Sequence, residues 1–131
     1  MISISTKRID PKDAITQLLE NIHERLRSDS DNLVIVKKTS TFDKTTAFMI
    51  KVGLSHQSVC DELLELDVTN YSYTANDYDP AFGGDVYICG QTMGPPIVAS
   101  LIIVYIKIKV RGKVVCLSFH EAEERLNYPY L

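Results

Sequence analysis

The sequence predicts an α+β domain in which an antiparallel sheet carries helices packed on one face. Apolar residues recur at helical spacing in the first half of the chain, whereas runs of β-branched residues separated by turn formers dominate the second half. The chain has 131 residues and is 45% hydrophobic. These values suit a single globular domain that spans residues 1–131.

Three helices are expected in the first half of the chain. The first extends from about Pro11 to Arg27, with Asp10 as its N-terminal cap. The second extends from Phe42 to about Val52, with Thr41 as its cap, and it ends at the following glycine. Ser55 is expected to cap the third helix, whose apolar residues continue to position 66.

Strands are expected at residues 33–36 and 85–89, followed by a long hairpin over residues 97–120. Residues 70–84 are rich in turn formers and tyrosines and are predicted to form a loop. Residues 121–126 suit a short terminal helix.

The hairpin places polar side chains together. Its turn is expected at residues 111–112, because Gly112 readily adopts the positive φ that a two-residue turn needs. Counting outward from this turn separates an apolar face from a polar face. The apolar face should carry Ile106, Ile108, Leu117 and Phe119. On the polar face, Tyr105 should lie opposite Ser118 and Lys107 opposite Cys116, with His120 diagonal from Tyr105.

This polar face suits acid–base chemistry on an anion. A histidine exchanges protons near neutral pH, while tyrosine and lysine donate hydrogen bonds. The alternative is that Tyr105 and Lys107 simply face water, as alternation on a half-buried sheet would produce.

Charge and cysteine content narrow the classes of partner. The net charge of −3 weighs against a strongly basic nucleic-acid binder. Three widely spaced cysteines without a CxxC pair weigh against a disulfide framework and a zinc site, so we expect reduced core residues and no metal or other cofactor. The positive charges nevertheless concentrate in two blocks, one of Lys37, Lys38, Lys44 and Lys51 and one of Lys107, Lys109, Arg111 and Lys113.

The chain shows no sign of a membrane segment. It has no run of eighteen apolar residues, and its first ten residues lack the apolar run of a secretory signal. We therefore expect a cytoplasmic protein without a membrane partner.

Three stretches, taken in order, resemble the MqsR family of bacterial type II toxins. They are residues 52–54 with the helix over residues 60–66, Asp85-Val-Tyr87, and Tyr105–Ile108 leading to Leu117–Phe119. The resemblance covers about residues 42–119 and implies a RelE/YoeB-like toxin fold. It also implies a metal-independent mRNA endoribonuclease, either free or associated with the ribosome. The expected partners are mRNA and a cognate antitoxin encoded by a neighbouring gene.

The resemblance assigns four polar positions of the family to this chain. The hairpin tyrosine is Tyr105, and the lysine that follows the Ser-Phe pair is here His120. A lysine of the long loop falls at about Tyr73, and a glutamine before the Asp-Val-Tyr stretch falls at Gly84. His120 keeps a proton-transferring group at its position, so two of the four polar positions of the family are lost.

The resulting hypothesis gives each polar residue a role in RNA cleavage. We expect His120 to act as acid or base, Tyr105 to position the phosphate or share the proton transfer, and Lys107 or Lys109 to neutralise charge. The residues expected to contact RNA are Lys109, Tyr73, Tyr87 and Ser118. The alternative function is a non-catalytic protein- or RNA-binding module on the same fold.

Overall fold

The computed structural model describes residues 7–37, 43–76 and 84–131 and confirms the predicted α+β class. In chain order the elements are β1 (Lys7–Arg8), α1 (Lys12–Ser28), β2 (Leu33–Ile35), α2 (Lys44–Val52), α3 (His56–Leu64), β3 (Tyr71–Asn76), β4 (Asp85–Met93), β5 (Ile102–Arg111) and β6 (Lys113–Glu121). The six strands form one sheet in the order β1-β3-β4-β5-β6-β2. All neighbours are antiparallel except β2 and β6, which are parallel.

Helices α1 and α3 pack on one face of the sheet, because each presents an apolar stripe that only a sheet face of similar size can bury. Their buried residues are Ile15, Leu19, Ile22 and Leu26 in α1 and Val59, Cys60 and Leu63 in α3. These side chains share a core with inward-facing residues of β4, β5 and β6. The three cysteines are free and buried, as predicted.

Helix α2 packs beside β6, beyond the point where β2 ends. The backbone N–H of Phe119 donates a hydrogen bond of 3.0 Å to the hydroxyl of Thr45, and the Phe119 ring contacts that of Phe48. The helix begins after Asp43, whose carboxylate accepts from the backbone N–H of Thr45. The predicted cap, Thr41, lies outside the described residues, whereas the predicted end at Gly53 is confirmed by its φ of +73°.

The predicted N-terminal cap is confirmed for α3 and is wrong for α1. Ser55 does cap α3, since its hydroxyl accepts a hydrogen bond of 3.1 Å from the backbone N–H of Ser58. Asp10 does not cap α1. Its carboxylate is held instead by Arg8 and by the hydroxyl of Thr74.

The loop predicted for residues 70–84 is wrong over its first half, because Tyr71–Asn76 form β3 between β1 and β4. A bulge at Ser72 interrupts the alternation. Tyr71 consequently lies in the core with α1 and α3, whereas Tyr73 lies on the opposite face of the sheet. The rest of the predicted loop, residues 77–83, lies outside the described part of the chain.

The register of the hairpin differs from the prediction by two one-residue shifts in the same direction. Arg111 pairs with Lys113, so Gly112 alone closes the turn, with a φ of +70°. A bulge at Leu117 then adds a second shift of one residue. Because two such shifts return a side chain to its original face, Tyr105 pairs with His120.

The same two shifts change the cross-strand pairs on the polar face. Lys107 pairs with Ser118, and Ile106, Ile108 and Phe119 are fully buried as predicted. The prediction was wrong for two residues. Cys116 lies in the core with the helices, and Leu117 packs on the opposite face.

The terminal helix predicted for residues 121–126 is absent from the described structure. Strand β6 continues to Glu121, and the backbone N–H of Ala122 still donates to the carbonyl of Ile103 at 2.8 Å. The C-terminal tail (residues 122–131) then follows without regular structure. Its end is anchored by Tyr130, whose ring stacks on Tyr71 and whose hydroxyl donates to the carbonyl of Asp10. Among the described residues no helix has the length and apolar character needed to cross a membrane.

Candidate active site

A cleft of about 550 Å³ opens on the sheet face opposite α1 and α3. Three parts of the chain form it: residues 7–9 around β1, the outward-facing side chains of the sheet, and residues 123–127 of the C-terminal tail. The sheet residues that line it are Ser72, Tyr73, Tyr105 and His120.

Tyr105 and His120 lie side by side in this cleft. They are direct partners across β5 and β6, and their rings stack with centroids 5.4 Å apart and planes inclined by 22°. The Nδ1 atom of His120 lies 2.9 Å from the carbonyl oxygen of Glu121. A carbonyl only accepts hydrogen bonds, so Nδ1 carries the hydrogen and donates it. In the neutral ring, Nε2 is then left as a proton acceptor.

Tyr105 is suited to donate a hydrogen bond rather than to accept a proton. Its burial raises the pKa of the phenol well above the ordinary value, and a hydrogen bond with the Tyr73 phenol and the charge of Glu124 add to the rise. Tyr105 therefore remains protonated at neutral pH. The two stacked rings thus offer a donor and an acceptor within the same cleft.

The predicted site residues separate into three groups. Tyr105, His120 and Tyr73 line the cleft together. Lys107 and Ser118 form the next cross-strand pair on the same face, outside the lining of the cleft. Lys109 and Tyr87 are not among the residues that line the cleft.

Lys109 and Tyr87, both predicted to contact RNA, are at least partly buried. Lys109 is only 5% exposed, which does not suit a residue expected to meet RNA on an open surface. Tyr87 packs against the core on the helical side of the sheet, and burial raises its pKa. Alternation from Val86, which lies on the cleft side, places Tyr87 on the other face.

The sequence reasoning missed three cations in the cleft: Lys7, Arg8 and Arg125. Arg8 is engaged by carboxylates, since its guanidinium binds both oxygens of Asp85 at 2.7 and 3.1 Å and reaches Asp10 at 2.8 Å. These bonds raise the pKa of Arg8 further above its ordinary value. No local signal marks Lys7 and Arg8, because residues 7–8 become a strand only by pairing with β3.

Carboxylates also border the cleft. Glu123 forms an ion pair with Lys44 of α2, and this contact lowers the pKa of Glu123. Glu124 lies near enough to Tyr105 to affect its titration. Within residues 7–37, 43–76 and 84–131, no group of three or more His, Cys, Asp or Glu side chains is placed to hold a metal ion.

Comparison with family models, with curated protein sequences and with solved structures gives no match. The family resemblance noted above therefore stays a prediction, and the function has to be argued from the cleft itself.

The C-terminal tail packs against Gly90 of β4. A Cβ atom on Gly90 would lie 2.2 Å from the hydroxyl oxygen of Tyr128 and 2.9 Å from Cδ1 of Leu126, which lines the cleft. Real side chains do not approach so closely, so a larger residue at position 90 must displace the Tyr128 hydroxyl and the tip of Leu126.

We expect Gly90→Ala to destabilise the protein by about 1–3 kcal/mol, the usual cost of overpacking. Urea unfolding measures this loss. Trypsin should also cut after Arg125 faster than in the parent protein. If Tyr128 is the obstacle, the cost of Gly90→Ala should shrink in a Tyr128→Ala background. An equal cost in both backgrounds would show that the tail does not rest on Gly90.

Proposed function

We propose that this protein is a metal-independent endoribonuclease that cleaves mRNA and acts as the toxin of a type II toxin–antitoxin system, on a RelE/YoeB-like variant of the α+β fold. The observation that carries the proposal is the stacked pair of Tyr105 and His120 in an open cleft, with Nε2 of His120 as the acceptor. The stacked pair supports acid–base chemistry. The sequence resemblance supports mRNA as the substrate and the toxin role.

The proposed reaction uses the 2′-hydroxyl of RNA as nucleophile. Nε2 of His120 takes the hydroxyl proton, and the 2′-oxygen attacks the adjacent phosphorus. The bond from phosphorus to the 5′-oxygen breaks, and the departing oxygen takes a proton from solvent. The products are a 2′,3′-cyclic phosphate and a 5′-hydroxyl. Tyr105, held in its protonated form, donates to a phosphate oxygen as negative charge builds there.

Purified protein incubated with end-labelled mRNA in the presence of EDTA tests this proposal. Cleavage at discrete positions supports a metal-independent nuclease. RNA that is bound by the protein but stays intact favours the alternative function, a non-catalytic binding module. The charge of the cleft favours the binding module. The carboxylates of Glu123 and Glu124 border the cleft and repel a phosphate backbone.

We also expect a dedicated antitoxin, since an active RNase of this kind would kill its own cell unless masked. Co-expression with the adjacent reading frame should yield a stable complex that can be purified through a tag on either chain. The edge of the sheet offers one route to it, because Val34 on the short β2 is exposed and no strand of the described chain pairs with its outer side. Failure of every neighbouring product to bind or neutralise the protein would contradict the toxin role.

A further inference from the structure

We propose that Lys7 and Arg125 bind the phosphate backbone of a single-stranded RNA in the cleft, in place of the lysines of the hairpin. This inference rests on the proposed function and names the residues that would hold its substrate. It gives the two chain ends, which lie far apart in sequence, a shared role at the site.

The cations of this region differ in what they already bind. Arg8 is engaged by Asp85 and Asp10, so its charge serves to join β1 to β4. Lys109 is buried, and Lys107 lies outside the lining of the cleft. Two cations remain, namely Lys7 and Arg125.

Lys7 and Arg125 are both exposed and both line the cleft. Arg125 makes no hydrogen bond or ion pair with any residue in the described ranges, so its guanidinium is available for a bidentate contact with a phosphate. Lys7 holds its ammonium 4.6 Å from the centroid of the Tyr73 ring. This cation–π contact fixes the ammonium without neutralising its charge.

Lys7 is also linked to the catalytic pair. Its ammonium rests on Tyr73, and Tyr73 lies beside Tyr105 in the lining of the cleft, near enough to raise the pKa of the Tyr105 phenol. A phosphate bound at Lys7 would therefore lie one side chain away from Tyr105. Because the ammonium already occupies one face of the Tyr73 ring, we expect Tyr73 to position Lys7 and Tyr105 rather than to stack on a base.

The size of the cleft selects for a single strand. A volume of about 550 Å³ falls within the range of pockets that enclose small ligands, roughly 300–1,000 Å³. Such a pocket admits an unpaired nucleotide with its flanking phosphates but not a base-paired helix. Unpaired RNA bases can also be splayed out from the strand and so enter a pocket, which paired bases cannot do.

The binding test uses a fluorescent single-stranded oligonucleotide with 2′-O-methyl groups, which cannot be cleaved through the 2′-oxygen. Fluorescence anisotropy at several KCl concentrations would compare Lys7→Gln and Arg125→Gln with the parent. The matched controls are Lys51→Gln and Arg27→Gln, which remove the same charge from exposed positions on α2 and α1. Urea unfolding of each variant verifies that it is folded.

Each cleft variant should bind about tenfold more weakly at low salt, the usual worth of one charged hydrogen bond. The slope of log K against log[KCl] should become shallower by about 0.7 for each lost phosphate contact. The two control variants should match the parent in both quantities. An unlabelled duplex of the same sequence should compete poorly with the single strand.

The outcomes separate this inference from the proposed function. If the parent binds and cleaves RNA while the cleft variants bind as tightly as the controls, Lys7 and Arg125 are not phosphate ligands and the nuclease proposal stands. If the parent neither binds nor cleaves RNA, both fail. Equal competition by the duplex would contradict the single-strand requirement.

Discussion

His120→Ala is expected to lower the rate of RNA cleavage by on the order of 10²–10⁴-fold, the usual contribution of a general acid or base. The fold should survive, because His120 lies near the end of β6 and, within the part of the chain that the structure describes, its ring makes one hydrogen bond, to the backbone of the next residue. Single-turnover cleavage of a labelled RNA gives the rate, and urea unfolding gives the stability of the same preparation.

His56→Ala is the matched control for this variant. Like His120, His56 bonds a backbone carbonyl through one ring nitrogen, here that of Leu33 at 2.8 Å, but it lies on α3, away from the cleft. It should retain full activity. If His120→Ala instead cleaves as fast as the parent and merely unfolds at lower urea, His120 is structural and the assigned centre is wrong.

His120→Lys is the informative companion variant, because it introduces the residue that the MqsR pattern has at this position. Part of the lost activity should return. Its pH optimum should move upward, since a free lysine side chain gives up its proton near pH ~10.4 and a free histidine near ~6.5. A pH–rate profile measured at saturating RNA detects this shift.

Tyr105→Phe is expected to lower kcat by on the order of 10²–10³-fold, the usual loss when one hydrogen-bond donor to a developing negative charge is removed. The substitution deletes only the phenolic oxygen, so the stacking on His120 should persist. KM should change little, because the donor acts mainly in the transition state. Steady-state kinetics with a short defined RNA separates the two parameters.

Tyr87→Phe is the control for Tyr105→Phe. It removes a phenol from the same sheet, but from the face that packs against the core with the helices. We expect its cleavage rate to equal that of the parent. A Tyr105→Phe variant that raises KM and leaves kcat unchanged would mean that Tyr105 binds the substrate without assisting the reaction.

Much of the fold follows from local sequence patterns. The helical periodicity of α1 and α3 and the capping residue Ser55 suffice to locate two helices within about two residues, because these signals act over only a few positions. Strand β3 was missed for a physical reason. Its Tyr and Thr residues favour strands, but they alternate with Ser, Ala and Asn, which do not, so pairing with β1 and β4 decides its conformation.

The candidate site was predictable only in part. Alternation along β5 and β6 brings Tyr105 and His120 to one face, as predicted, because the one-residue turn and the bulge at Leu117 together shift the register by two residues. Such a pair of shifts leaves no trace in the sequence. Lys7 and Arg125 were unpredictable, since each reaches the cleft through contacts between segments far apart in the chain.

The most direct test of the central claim is the chemistry of the RNA ends that the protein leaves. A short RNA would be incubated with purified protein in EDTA, beside the His120→Ala variant, and the fragments analysed by mass spectrometry. We predict a 2′,3′-cyclic phosphate on one fragment and a 5′-hydroxyl on the other, with both products greatly reduced for the variant. RNA that stays intact, or fragments that form equally well with His120→Ala, would contradict the assignment of Tyr105 and His120 as the centre of a ribonuclease.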